Sequence, residues 1–135
     1  MAVVQRIQPL RSTMFLRGVP EAVSEARDRV RGFLGEGHPV SEDVVLLVSE
    51  VVTNSVVHSA SGTGGQVAMT VELGAQSVLV EVSDAGSGAS APHVRNDPQA
   101  ENGRGMFLVD LLANRWGVKD DRRGGRRTVW FEIGF

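Results

Sequence analysis

The pattern of apolar residues predicts a two-layer α/β sandwich, in which one mixed, mostly antiparallel sheet carries its helices on one face. Three observations carry that prediction. Strand-type alternation comes in adjacent pairs, the mark of hairpins. Two stretches of helical periodicity follow one another directly before the first pair. The repeated β-α-β alternation that a Rossmann fold requires does not appear. A chain of 135 residues is enough for one such domain with a modest core.

Residues 1–12 read as an N-terminal arm and 13–135 as the domain. Thr13–Arg17 is a plausible first strand. Pro20 opens a helix through Leu34, with Val23, Ala26, Val30, Phe33 and Leu34 on one stripe and charges opposite. Gly35 and Gly37 end it. Ser41 reads as the N-cap of a second helix, with Glu42 and Asp43 in the first turn where the dipole favours acids. That helix runs to His58 and is apolar nearly all round, since nine of the fourteen residues from Val44 to Val57 are Val or Leu. The 62–65 segment is a Gly-rich loop. Gln66–Leu73 and Ser77–Ser83 alternate on either side of Gly74-Ala75, a hairpin signature. Ala85 to Gly105 is too long and too polar for an ordinary connection. Met106–Ala113 then reads as a helix, Arg115–Lys119 as a strand and Arg126–Ile133 as the closing strand, with a turn from Asp120 to Gly125.

Composition removes several classes of chemistry. There is no Cys, hence no disulfide, thiolate nucleophile or cysteine zinc site. The basic residues are thirteen Arg and the single Lys119, and no Lys follows a glycine cluster as a P-loop demands. His38, His58 and His93 are too far apart for a His-Glu-x-x-His zinc site. A net charge of −2 offers no global field for nucleic acid. Residues 1–13 have no apolar h-region, and no run approaches the ~20 apolar residues that span a bilayer. The expectation is a cytoplasmic protein with no direct nucleic-acid or membrane contact.

Three segments draw attention. In the second helix, Glu50, Asn54 and His58 recur every four residues on one face of an otherwise apolar stretch. Such a strip either faces solvent between packed flanks or lines a pocket; an Asn amide oxygen is a hard ligand suited to Mg²⁺, and a Glu can act as a base. After the strand ending at Ser83 comes Asp84-Ala85-Gly86-Ser87-Gly88. A carboxylate there can accept from an exocyclic amine, and glycines let backbone approach a flat ring; equally, the segment can be a plain turn. Gly103-Arg104-Gly105-Met106 opens the third helix, where free N–H groups, the dipole and a guanidinium suit a phosphate. A glycine-rich linker is the plain alternative.

Taken in order, these segments resemble the three boxes of the gyrase, heat-shock chaperone, histidine-kinase and mismatch-repair superfamily of ATP-binding domains, whose Bergerat-type fold is the sandwich predicted above. Glu50-x-x-x-Asn54 is similar to the N-box, Asp84 to Gly88 to the first glycine box, and Gly103 to Met106 to the second. Arg126–Ile133 resembles the closing strand, whose Thr, here Thr128, completes the adenine site. The likeness covers residues 13–135. It implies that Asn54 coordinates Mg²⁺ on the phosphates of ATP and that Glu50 is the general base. Asp84 accepts from the adenine amine, with Gly86, Gly88 and Thr128 around the ring. Residues 89–102 form a lid, and Gly103, Arg104, Gly105 and Met106 meet the phosphates.

Within the superfamily, the length and the segments S-E-x-V-x-N-S-x-x-H-S and L-A-N-R-W-G-V are similar to the stand-alone anti-sigma-factor serine/threonine kinases of bacterial partner-switching systems. That resemblance implies phosphorylation of an anti-sigma-factor antagonist, alternating with capture of a sigma factor, and a homodimer. A nucleotide-dependent binding module without kinase turnover is the alternative. His58 reads as a helix-end packing residue, and Arg122, Arg123, Arg126 and Arg127 as a solvated hairpin.

Overall fold

A computed structural model describes residues 9–58, 65–84, 101–121 and 125–135, although the side chains of His58, residues 101–105 and Asp121 are outside the description. The element order is β1 (Leu10–Arg17), α1 (Glu21–Leu34), α2 (Ser41–His58), β2 (Gln66–Leu73), β3 (Ser77–Asp84), α3 (Glu101–Leu112), β4 (Arg115–Asp121) and β5 (Arg126–Gly134). The five strands make one sheet in the order β1-β2-β3-β5-β4.

All four pairings are antiparallel, where the sequence suggested a mixed, mostly antiparallel sheet. The reason is the placement of β5. β3 and β4 run the same way, joined across α3, and would form a parallel pair if adjacent. β5 inserts between them and pairs antiparallel with each. β1 also begins earlier than expected, because Leu10–Ser12 pair with Val71–Leu73 and so leave the arm for the sheet.

Alternation along the strands sorts the two sheet faces. Met14 and Leu16, Val67, Met69 and Val71, Val78, Val80 and Val82, and Val129, Phe131 and Ile133 are buried on the helix side. Their neighbours in sequence point to the open face and are exposed or half-buried. A shift of one residue in any strand would turn its apolar set to water, so burial enforces the register. Each of these side chains contributes roughly 1.5–3 kcal/mol by leaving water.

Helix α1 buries Ala22, Ala26, Val30 and Leu34. It ends at Gly35, whose N–H donates to the Arg31 carbonyl at 3.0 Å and whose φ of 86° is a conformation that a side chain would strain. Helix α2 is wedged between the sheet, α1 and α3. It is less uniformly buried than its composition suggests: Leu46 and Val57 are exposed, and Ser49, Glu50, Thr53 and Asn54 are half-buried along the same side. Its first intrahelical bond runs from the Val44 N–H to the Val40 carbonyl, so Val40 rather than Ser41 holds the cap position.

Helix α3 starts at Glu101, five residues before the predicted start. Gly103 and Gly105 therefore belong to its first two turns instead of preceding it, despite the helix cost of about 1 kcal/mol for each glycine. The Trp116 indole N–H donates to Asp110 at 2.9 Å and pins the helix to β4.

Candidate functional site

The topology brings three of the singled-out segments to one end of the sandwich. The other end is defined by the C-terminus: the Phe135 N–H donates to the Gln76 carbonyl in the β2–β3 turn at 2.8 Å. His38, just before α2, meets Phe135 edge to face with ring centroids 4.5 Å apart. Helix α2 thus starts at the Ser77 end of β3 and packs along β2 and β3. Its 18 residues span about 27 Å, close to the ~26 Å of an eight-residue strand. Its last turns, with Asn54 and His58, accordingly reach the end of the sheet where β3 finishes at Asp84.

Helix α3 is oriented by its exit. The Asn114 N–H donates to the Glu132 carbonyl at 2.8 Å, and the Asn114 side-chain oxygen accepts from the Gly134 N–H at 2.7 Å. The C-terminal end of α3 therefore lies at the Phe135 end. Because α3 packs along α2, its first turn, residues 101–105, points toward the Asp84 end.

Glu50 and Asn54 sit one turn apart on α2, both half-buried at the margin between its packed and open sides. Asp84 is different: it ends β3 on the helix side with 3% of its surface exposed, and it has a partner. It is one of two buried polar side chains among the described residues; Ser55, also partnered, is the other. Both belong to this half of the molecule. Met106 is half-buried and packs on the core from α3.

Thr128 is placed on the other face. In the β3–β5 register Thr128 lies opposite Ser83, and their hydroxyls are hydrogen-bonded at 2.6 Å on the open side of the sheet. The residue opposite Asp84 is Arg127, which is half-buried, whereas Arg126 is exposed. The solvated-hairpin reading of the arginine cluster therefore holds for Arg126 and not for Arg127. The signal was present in the sequence: Arg127 shares its parity with Val129, Phe131 and Ile133, and Thr128 shares its parity with Trp130 and Glu132. Gly86, Gly88, residues 89–100 of the expected lid 89–102, and Arg122 and Arg123 lie outside the described residues, as do the side chains of His58 and Arg104, while residues 101 and 102 belong to α3.

Among the described residues, no three His, Cys, Asp or Glu side chains gather as a metal cage. Asn54 offers a single hard amide oxygen, which fits a Mg²⁺ that keeps waters and phosphate oxygens as its remaining ligands. A hollow of about 780 Å³ lined by Gly35, Glu36, His38 and Ser41 is at the opposite end of α2 and contains none of the candidate residues. No described helix is long and apolar enough to cross a membrane.

The family model of the histidine kinase-like ATPase domain matches residues 16–133, from the last residues of β1 to Ile133 of β5. An anti-sigma F factor of Clostridium acetobutylicum is 29% identical over 119 residues, covering 81% of this chain and 83% of that protein. The anti-sigma F factor of Clostridium kluyveri is 27% identical over 120 residues, with 82% and 84% covered. An uncharacterized protein of Streptomyces coelicolor is 35% identical over 85 residues, 61% of this chain and 76% of its own length. With all three helices, β2, β3 and β4 and nearly all of β5 inside the matched range, the chain belongs to the family of histidine kinase-like ATPase domains.

Proposed function

We propose that the protein binds ATP with Mg²⁺ at the Asp84 end of the sandwich and is a regulatory serine/threonine kinase that phosphorylates an anti-sigma-factor antagonist and sequesters a sigma factor. The observation that carries this reading is the pairing of Glu50 and Asn54, half-buried one turn apart on the half of α2 that runs to the Asp84 end, with the buried carboxylate of Asp84. Asp84 accepts from the exocyclic amine of adenine, with Gly86 and Gly88 beside the ring. Asn54 supplies an oxygen to Mg²⁺, which offsets phosphate charge when bound. Gly103, Arg104, Gly105 and Met106, in the first two turns of α3, meet the phosphates; of these Gly103 falls within the first turn, whose free N–H groups favour anions. Glu50 takes the proton from the acceptor hydroxyl of the antagonist.

The Clostridium relatives are named for an anti-sigma role and not for catalysis. They favour, as a second reading, a nucleotide-dependent sigma-binding module with little turnover. Calorimetric titration with ATP, with and without Mg²⁺, tests the site: Mg²⁺-dependent binding should disappear in Asn54→Ala. Transfer of labelled phosphate from ATP to a Ser of an antagonist protein tests the kinase, and Glu50→Ala should slow it roughly 10²–10⁴-fold. Transfer undiminished in Glu50→Ala removes Glu50 as base. Binding without transfer leaves the module reading in place.

A further inference from the structure

We infer that Arg127, and not Thr128, is the β5 residue that contacts the bound nucleotide, and that together with Asp84 it selects adenine over guanine. This rests on the reading of Asp84 as the acceptor for the exocyclic amine. The register is the first observation. Asp84 and Arg127 are directly opposite one another on β3 and β5, so their side chains leave the sheet on the same, helix-facing side. Side chains so paired have Cβ atoms about 4.5–5.5 Å apart, within reach of one ligand edge. The second observation is that Thr128 is committed elsewhere, its hydroxyl bonded to Ser83 at 2.6 Å on the opposite face. A nucleotide lying between α2 and the end of β3 cannot meet it without passing through the sheet. The third is burial: Arg127 is half-buried while its neighbour Arg126 is exposed.

The chemistry of the pair is complementary. An ionised Asp only accepts hydrogen bonds, and an Arg only donates them. On adenine, the exocyclic amine donates to Asp84 and the adjacent ring nitrogen accepts from Arg127. Guanine carries a carbonyl and a ring N–H at the same two positions, so acceptor would face acceptor and donor would face donor. Each group thus favours adenine, and each is left without its bond on guanine, the arrangement that makes discrimination steep.

The test is calorimetric titration of the full chain with Mg²⁺-ATP and Mg²⁺-GTP, using wild type, Arg127→Ala, Arg127→Lys, Thr128→Ala and Asp84→Asn. Thermal denaturation of each verifies folding. Arg127→Ala should weaken ATP binding roughly tenfold, the size of one hydrogen bond to a charged group, and narrow the ATP-over-GTP preference. Arg127→Lys should fall between, and Thr128→Ala should stay within about twofold of wild type. Wild-type affinity or an unchanged preference in Arg127→Ala overturns the inference, as does an equal loss in Thr128→Ala. If Asp84→Asn loses ATP while Arg127→Ala keeps it, only the role of Arg127 fails. If Asp84→Asn binds ATP as wild type does, or wild type binds none, the underlying site reading fails and takes this inference with it.

Discussion

Gly117→Ala is expected to destabilise the protein by about 1 kcal/mol, for a reason confined to one contact on the open face of the sheet. Gly117 of β4 is paired with Trp130 of β5, and the indole lies across the glycine. A Cβ at position 117 would fall 2.8 Å from the indole nitrogen and 3.0 and 3.1 Å from two ring carbons. Carbon contacts are optimal at roughly 3.5–4.0 Å, so the ring must lift by ~0.5–1 Å. Overpacking of this kind costs about 1–3 kcal/mol. Gly117 does not have a positive φ, so alanine is permitted there and returns about 0.4–1 kcal/mol by restricting the unfolded chain. The difference leaves a net loss of ~1 kcal/mol. Urea denaturation followed by far-ultraviolet circular dichroism measures it without relying on the two Trp residues. The contact is isolated by repeating the substitution in a Trp130→Val background, where the alanine should be neutral or stabilising. If Gly117→Ala costs the same in both backgrounds, or costs nothing in the wild type, the indole is not what excludes a side chain at 117.

Two further outcomes follow from the packing. Phe131→Ala should cost about 3–5 kcal/mol in the same denaturation assay, since Phe131 is fully buried between Val80 of β3 and Trp116 of β4. Trp116→Phe should lose about 0.5–1.5 kcal/mol with the bond to Asp110, and Asp110→Ala should add little to it.

The helices and hairpins were readable because their causes are local. The stripe of α1, the glycines that end it, and the alternation of β2 and β3 each lie within a few residues, and the observed bounds follow them closely. Long-range pairing was not readable in the same way. Nothing local says that β5 enters between β3 and β4, so the sequence points to a mostly antiparallel sheet with some parallel pairing, and the described pairings are antiparallel throughout. The start of α3 was placed late for a different reason. Gly103 and Gly105 argue against helix by propensity, and the chain is helical through them nevertheless. Glu50, Asn54 and Asp84 were legible as polar residues in apolar settings. Thr128 was assigned by its resemblance to a motif. The two-residue period of its own strand puts Arg127, not Thr128, on the side of Asp84.

The valine-rich character of α2 is part of the site and not only of the core. Val44, Val45, Leu47, Val48, Val51, Val52 and Val56 are all buried, on flanks that face the sheet, α1 and α3. Turning the helix by one residue, about 100°, would drive Glu50 inward and bring buried valines to the surface. Burying an unpaired carboxylate costs several kcal/mol, and each exposed valine adds roughly 1.5–3 more. The apolar flanks therefore hold the backbone of Glu50 and Asn54 at a fixed height and angle, with Asn54 toward the Asp84 end. The position of these two residues is set during folding, which is the condition for a preorganised site.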